Sequence, residues 1–325
     1  MPPAPRSTWS PGVPVPDHVP FTAVVRFVGL LAVAAILALP GSVYMNLLEV
    51  LERQFIFFPM PRVERTPADL GIPFEDGYFT TDDGYILNGW FIPAPFEGSA
   101  GDLGNADITL LWFHGNAGNM GHRVDDLALF HHLLGVNIFI FDYRGYGDSQ
   151  GKPSERGVYQ DSRAALAYLL SREDVNPGRI VYYGRSLGAA VAVELALHHD
   201  PNGMVLYSPF TSLADMGEAL YTLSPVRLLA GNRLDSLARI SQYHGPLLII
   251  HGEADEIIPI DQGRALYEAA SGPKSFYQVS GAYHNDPLGD AGADLWAALG
   301  RFLSSLPDDP GTSDRAAERN SKAAE

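Results

Sequence analysis

The sequence predicts an α/β protein with a mostly parallel sheet covered by helices on both faces. Three observations carry the prediction. From about residue 75, short apolar runs alternate with longer helical ones. The short runs are continuously apolar, as strands buried on both faces are, rather than alternating as half-exposed strands do. Turn chemistry rich in Gly, Asn and Asp follows several of these runs, so the polar residues collect where the strands end.

Taken in order, "DGYFTT" (76–81) and "YILNGWFI" (85–92) read as an antiparallel hairpin joined at Asp82-Asp83-Gly84. "ITLLWF" (108–113) is a buried strand and "MGHRVDDLALFHHLL" (120–134) a helix. "VNIFIFD" (136–142) is a strand, followed by the amphipathic helix "SERGVYQDSRAALAYLLSR" (154–172). "RIVYY" (179–183) is a short β-branched and aromatic strand, and "LGAAVAVELALHH" (187–199) an Ala- and Leu-rich buried helix. "GMVLYS" (203–208), "PLLIIHG" (246–252) and "SFYQVS" (275–280) are further strands, and "ADLWAALGRFLSSL" (293–306) closes the body as a helix. A hairpin followed by strand–helix alternation is the layout of the α/β-hydrolase fold. Only about forty residues separate "SPF" (208–210) from "PLLIIHG", which leaves room for a minimal lid: at most a small helical cover around 211–243. Leu213, Met216, Leu220 and Tyr221 are its candidate lining residues, with helix packing an equal use for them.

Composition narrows the function classes. The 325 residues suffice for one large core, and 46% are hydrophobic. The formal net charge of −16 and the lack of a basic stripe argue against a nucleic-acid partner. There is no cysteine, which excludes disulfides, thiolate catalysis and cysteine-ligated zinc.

The ends read differently from the body, which spans 49–306. Residues 1–20 are Pro-rich and 307–325 are polar and read as a disordered tail. Within 21–48, "FVGLLAVAAILALPGSVYMNLL" (27–48) runs 22 residues without a charge, enough to span a bilayer with some tilt. The competing reading is a cleaved signal peptide, since Arg26 precedes the apolar stretch. No clean small-x-small cleavage site follows, so an uncleaved single-pass transmembrane anchor is favoured over secretion. Arg6 and Arg26 before the span and Arg53, Arg62 and Arg65 after it give only a weak orientation bias.

Gly-x-Ser-x-Gly occurs twice, at 184–188 ("GRSLG") and 147–151 ("GDSQG"). A nucleophile elbow needs a strand running into the first glycine and a helix leaving from the serine. Ser186 has both. Ser149 lies between "YRGYGD" and "GKPSERG", which are turn chemistry, and is set aside. Gly184 and Gly188 are the elbow glycines, required because side chains there would collide with the strand and helix. A serine hydroxyl needs a base to take its proton, and the base needs a carboxylate to fix its tautomer. Asp255 and His284 follow in the chain order this fold uses, each just after a predicted strand. Glu253, Glu256 and Asp142 compete as the acid. Asp142 precedes the serine and breaks the order. His131, His132, His198 and His199 fall at helix ends, and His114 and His251 read as structural strand-end residues. Two backbone amides would complete an oxyanion hole. They are those of Leu187, at the elbow-helix N-terminus, and Asn116, in the "HGNAGN" loop (114–119), with Ala117 as the second choice.

With those residues identified, the chain over about 75–306 resembles the α/β-hydrolase superfamily, and most closely its membrane-anchored branch of serine-peptidase-like and acyl-thioesterase-like enzymes. The resemblance rests on "HGNAGN" (114–119), "YRGYGDSQGKPSE" (143–155), "GRSLGAAVA" (184–192), "SPFTSL" (208–213), "HGEADEIIP" (251–259) and "HND" (284–286), with "FIFFP" (55–59) behind an apolar anchor. It implies that Ser186, Asp255 and His284 are a triad and that the Ser149 loop is structural. Ala189, where relatives often carry glycine, departs from the pattern but lies one turn into the helix. The expected activity is hydrolysis of an ester, thioester or related acyl bond through an acyl-enzyme, with no metal or organic cofactor. The expected substrate is a small, lipid-like or acylated molecule reached at a membrane surface. The alternatives are a serine peptidase on the same triad, a non-catalytic binding module on a hydrolase fold, and acyl transfer, which shares the acyl-enzyme and differs only in the acceptor.

Overall fold

The computed structural model describes residues 55–95, 104–220, 233–286 and 288–308. The expected anchor at 21–48, the Pro-rich segment at 1–20 and the tail beyond 308 lie outside the described residues. Among those described, no helix is long and apolar enough to cross a membrane.

Eight strands form one sheet. In chain order the strands among the described residues are β1 (Phe58–Pro59), β2 (Glu75–Thr80), β3 (Ile86–Ile92), β4 (Thr109–Phe113), β5 (Ala117–Gly118), β6 (Asn137–Phe141), β7 (Ile180–Arg185), β8 (Gly203–Tyr207), β9 (Leu247–Gly252) and β10 (Lys274–Val279). The large sheet runs β10-β9-β8-β7-β4-β6-β3-β2, with β2 and β3 the predicted hairpin and every pair from β6 to β10 parallel. β3 lies antiparallel to β6. β1 and β5 form a separate two-stranded parallel ribbon that the sequence reading did not anticipate, because two-residue strands carry no periodic signal.

The helices are α1 (Val124–Leu134), α2 (Glu155–Leu170), α3 (Leu187–Ala196), α4 (Leu213–Leu220), α5 (Ser236–Ile240), α6 (Ile260–Ala269) and α7 (Gly292–Ser304). α2 begins at Ser154, whose hydroxyl accepts the Gly157 N–H at 3.1 Å. Successive strand residues feed opposite layers. Leu110 and Trp112 pack with Leu127 and Phe130 of α1 and Leu295 and Leu299 of α7. Leu111 and Phe113 pack with α2, α3 and Leu266 of α6. The strands are therefore covered on both faces, which is why they read as continuous apolar runs.

α6 was missed in the sequence because Gly263 sits mid-helix. The structure supplies the reason for that glycine: a Cβ there would run into the buried ring of His251. The predicted helical cover is α4 and α5, with 221–232 between them outside the described residues.

β4 is flanked by β6 on one side and β7 on the other, and the chain reverses its direction of travel across the sheet there. The loops after β4 and β7 consequently leave side by side, opening a crevice at the carboxyl ends of the strands.

Candidate active site

Ser186 stands between β7 and α3 with φ 54° and ψ −117°, a backbone conformation rare outside glycine. Its surroundings hold it there. The Ser186 N–H donates to the Tyr207 carbonyl at 2.9 Å, and its own carbonyl accepts the Ala189 N–H at 2.9 Å. The glycines permit the turn. A Cβ on Gly184 would stand 2.5 Å from the Gly188 carbonyl oxygen, and one on Gly188 would overlap the Phe113 carbonyl. Leu187 is the first helical residue, and its N–H has no acceptor within the helix.

The loop after β4 closes on the elbow: a Cβ built on Gly115 would sit 3.9 Å from Ser186 Cβ. Asn116 next to it is pinned from three directions. Its carbonyl accepts the Phe58 N–H at 2.9 Å and the Tyr146 hydroxyl at 2.7 Å, and its side-chain amide donates to the Ile56 carbonyl at 3.0 Å. The β1–β5 ribbon is thus a clamp on this loop. Phe57 anchors the clamp in the core at 1% exposure, and the Asn119 amide donates to the carbonyls of Met60 and Arg62 at 3.1 and 2.7 Å.

His284 Nδ1 lies 2.8 Å from Asp255 Oδ2. The carboxylate accepts, so Nδ1 carries the hydrogen and the neutral ring presents Nε2 unprotonated. Asp255 is buried, which by itself raises a carboxyl pKa. Hydrogen bonds from His251 and His284, the charge His284 carries when protonated and the Ile258 N–H at 2.7 Å outweigh this and hold it well below the usual carboxylate range. The Ile257 N–H adds a fourth donor at 3.1 Å.

The competing acids are occupied elsewhere. Glu253 accepts from Ser280 and Gly281, and Asp142 from the Met120 N–H at 2.8 Å. Glu256 accepts the backbone N–H of His284 at 3.1 Å, so it steadies the loop without touching the ring. His251 donates from Nε2 to the Ile258 carbonyl at 2.8 Å with Asp255 Oδ2 at 3.4 Å, a structural partner of the acid. His114 donates from Nδ1 to the Gly115 carbonyl at 2.7 Å and faces Asp142 with Nε2 at 3.3 Å.

Ser186, His284, Asn116 and Ala117 line one cavity of about 420 Å³, together with Met60, His122, Arg123, Arg185, Met216 and Ile257. Leu187, the other expected oxyanion-hole residue, follows Ser186 at the start of α3 and is not among the residues that line the cavity. Of the proposed lid residues Met216 lines the cavity and Leu213 does not. The Leu220 side chain and Tyr221 lie outside the described residues.

Two contributors went unnoticed in the sequence. Arg185, the variable residue of the elbow, donates to the His284 carbonyl at 2.9 Å and faces Asp126 at 3.4 Å, tying elbow to histidine loop. Arg123 reaches the Ala117 carbonyl at 2.6 Å. Neither carries a spacing signal, since both act through contacts made across the fold. Among the described residues, no three His, Asp or Glu side chains are grouped to hold a metal ion.

The chain resembles known proteins along most of its length. The family described as "Serine aminopeptidase, S33" (Hydrolase_4) matches residues 104–238. The uncharacterised protein Rv2307c of Mycobacterium tuberculosis is 39% identical over 274 residues, covering 84% of this chain and 95% of the relative. The alpha/beta hydrolase domain-containing protein WAV2 of Arabidopsis thaliana is 31% identical, covering 79% of this chain and 89% of the relative. An esterase of Pyrococcus furiosus superposes with a TM-score of 0.63 at 24% identity, over 77% of this chain and 98% of the esterase, a likeness of fold. With the parallel sheet in place and kinship to WAV2 along most of both chains, this chain belongs to the α/β-hydrolase family and is a hydrolase.

Proposed function

We propose that the protein is a serine hydrolase that cleaves an ester, thioester or related acyl bond, with Ser186 as nucleophile, His284 as base and Asp255 as the orienting acid. The observation that carries this is the buried 2.8 Å His284–Asp255 hydrogen bond on a ring that lines the same cavity as Ser186. In acylation the Ser186 hydroxyl proton passes to His284 Nε2 as Oγ attacks the carbonyl carbon. The oxyanion accepts hydrogen bonds from the Leu187 and Asn116 amides, each worth about 3 kcal/mol in the transition state. Collapse expels the leaving group, which takes the proton from His284. Water then loses a proton to His284 as it attacks the acyl carbon, and collapse breaks the bond to Oγ, which takes that proton back from His284 as the acid leaves.

The test is fluorophosphonate labelling of the full chain with the modified peptide mapped. Modification of Ser186, lost in His284→Ala, supports the assignment. Modification of Ser149 overturns it, and no modification of folded protein favours a binding module. A serine peptidase is the second reading, favoured by the name of the matching family.

We also propose that 27–48 anchors the enzyme in a membrane. The described chain starts seven residues after that apolar run, and Phe55, Phe58 and Met60 are exposed there at 69%, 48% and 52%. Carbonate-resistant membrane retention of the full chain, lost on deleting 1–48, tests this. Release of the full chain by carbonate would refute it.

A further inference from the structure

The chain carries 38 acidic and 22 basic side chains, yet among the described residues no Asp or Glu lines the 420 Å³ cavity. Its ionisable lining is His122, Arg123, Arg185 and His284. A neighbouring cavity of about 270 Å³, beside β10 and the start of α7, is lined by Asp286, Asp290 and Asp294 and by no cation. The absence of acid from the Ser186 cavity is therefore local and runs against the composition.

The two guanidiniums are not equivalent. Arg185 is neutralised by Asp126 at 3.4 Å and spends a second N–H on the His284 carbonyl. Arg123 forms no ion pair among the described residues. Its protein hydrogen bond goes to a neutral acceptor, the Ala117 carbonyl, and its Nε is buried without a partner. Burial, and then repulsion from Arg185, weaken its hold on its proton, partly offset by Asp126 and Asp142. A half-buried guanidinium keeps its charge, and the two carboxylates that act on it, Asp126 and Asp142, do so from beyond ion-pair contact. The apolar part of the lining is made by Met60, Met216 and Ile257.

We propose that Arg123 forms an anion subsite of the acyl-hydrolase site, so that the preferred substrate joins a short apolar stretch to a terminal oxyanion, a carboxylate or a phosphate, near the scissile bond. This rests on the hydrolase reading above and deepens it. Arginine's planar fork suits both oxyanions, and pairing inside a partly desolvated cavity is stronger than at a surface. The same charge repels the α-ammonium group that an aminopeptidase must bind.

The experiment uses the full chain with two p-nitrophenyl esters of equal acyl length, the neutral pentanoate and the anionic hemiglutarate. The expected result is a kcat/KM preference of about tenfold or more for the hemiglutarate. That ratio should collapse in Arg123→Gln and return in Arg123→Lys. Both esters are read on one sample, so a folding loss lowers both rates and leaves the ratio. Competitive inhibition by inorganic phosphate, lost in Arg123→Gln, extends the subsite to phosphate. A preference without inhibition assigns it to carboxylates. A ratio at or below one, a ratio unmoved by Arg123→Gln, or faster turnover of alanine p-nitroanilide overturns the subsite. Fluorophosphonate labelling of Ser186 needs no anionic group. Labelling with a neutral preference therefore refutes the subsite alone, whereas no labelling and two inert esters refute the hydrolase reading.

Discussion

Two loops of this chain share the pattern Gly-x-Ser-x-Gly, and the fold treats them in opposite ways. Ser149 is buried, its hydroxyl donates to the Asp142 carbonyl at 2.7 Å and accepts the Asn88 N–H at 2.9 Å, and no helix leaves from it. Its glycines serve a loop, with Gly147 and Gly151 at φ 48° and 97°. At 184–188 the positions are reversed. The glycines give way to neighbouring backbone, and it is the serine that takes the positive φ and the start of a helix. A hydroxyl with both its hydrogen-bonding roles filled by backbone is held for structure. One raised at a helix N-terminus beside a cavity is available for chemistry.

The largest expected effect separates the loops by activity. Ser186→Ala should lower kcat about 10⁴-fold or more with unfolding midpoints near wild type. Comparable loss in Ser149→Ala would break the contrast. Next, Asp255→Asn should cost about 10⁴-fold in kcat by disturbing the tautomer of His284.

That variant also has a pH signature. The folded pKa of Asp255 lies below its unfolded value, so its stabilisation is complete above the ordinary aspartate range and is lost as pH falls through the folded value. Urea unfolding of wild type and Asp255→Asn should therefore converge on acidification. A gap that widens instead would refute the depressed pKa.

Gly188→Ala should destabilise by more than about 4 kcal/mol, since its Cβ meets the Phe113 carbonyl and not a movable side chain. Soluble protein with an unchanged midpoint would mean that the elbow is looser than described. The smallest effect is Ser149→Ala, about 1–2 kcal/mol at all pH values from pH 4 to 8, because a hydroxyl does not titrate there. A slope with pH would tie Ser149 to the nearby Asp142.

Much of this was legible because it is local. The elbow is one contiguous strand–turn–helix, and the order Ser186, Asp255, His284 can be read along the chain. The depth of the acid's support could not be read. Asp255 accepts from Ile257 and Ile258 two and three residues on, which an acidic turn suggests, and His251, four residues before it at the end of β9, approaches to 3.4 Å without a spacing signal of its own. Arg185 reads in the sequence as a variable position of the motif. Its hydrogen bond to the His284 carbonyl spans 99 residues.

By itself the sequence determined the alternation of elements, the strand–turn–helix setting that distinguishes Ser186 from Ser149 and the candidates proposed as acid and base. Each depends on periodicity or on steric demands within a few residues. The tertiary structure alone decided that β1 clamps the Asn116 loop, that Arg185 holds the histidine loop and that Arg123 and Arg185 meet at the Ser186 cavity. Those features are made by segments distant in the chain that meet only after the sheet has formed, and spacing along the chain says nothing about which of them will touch.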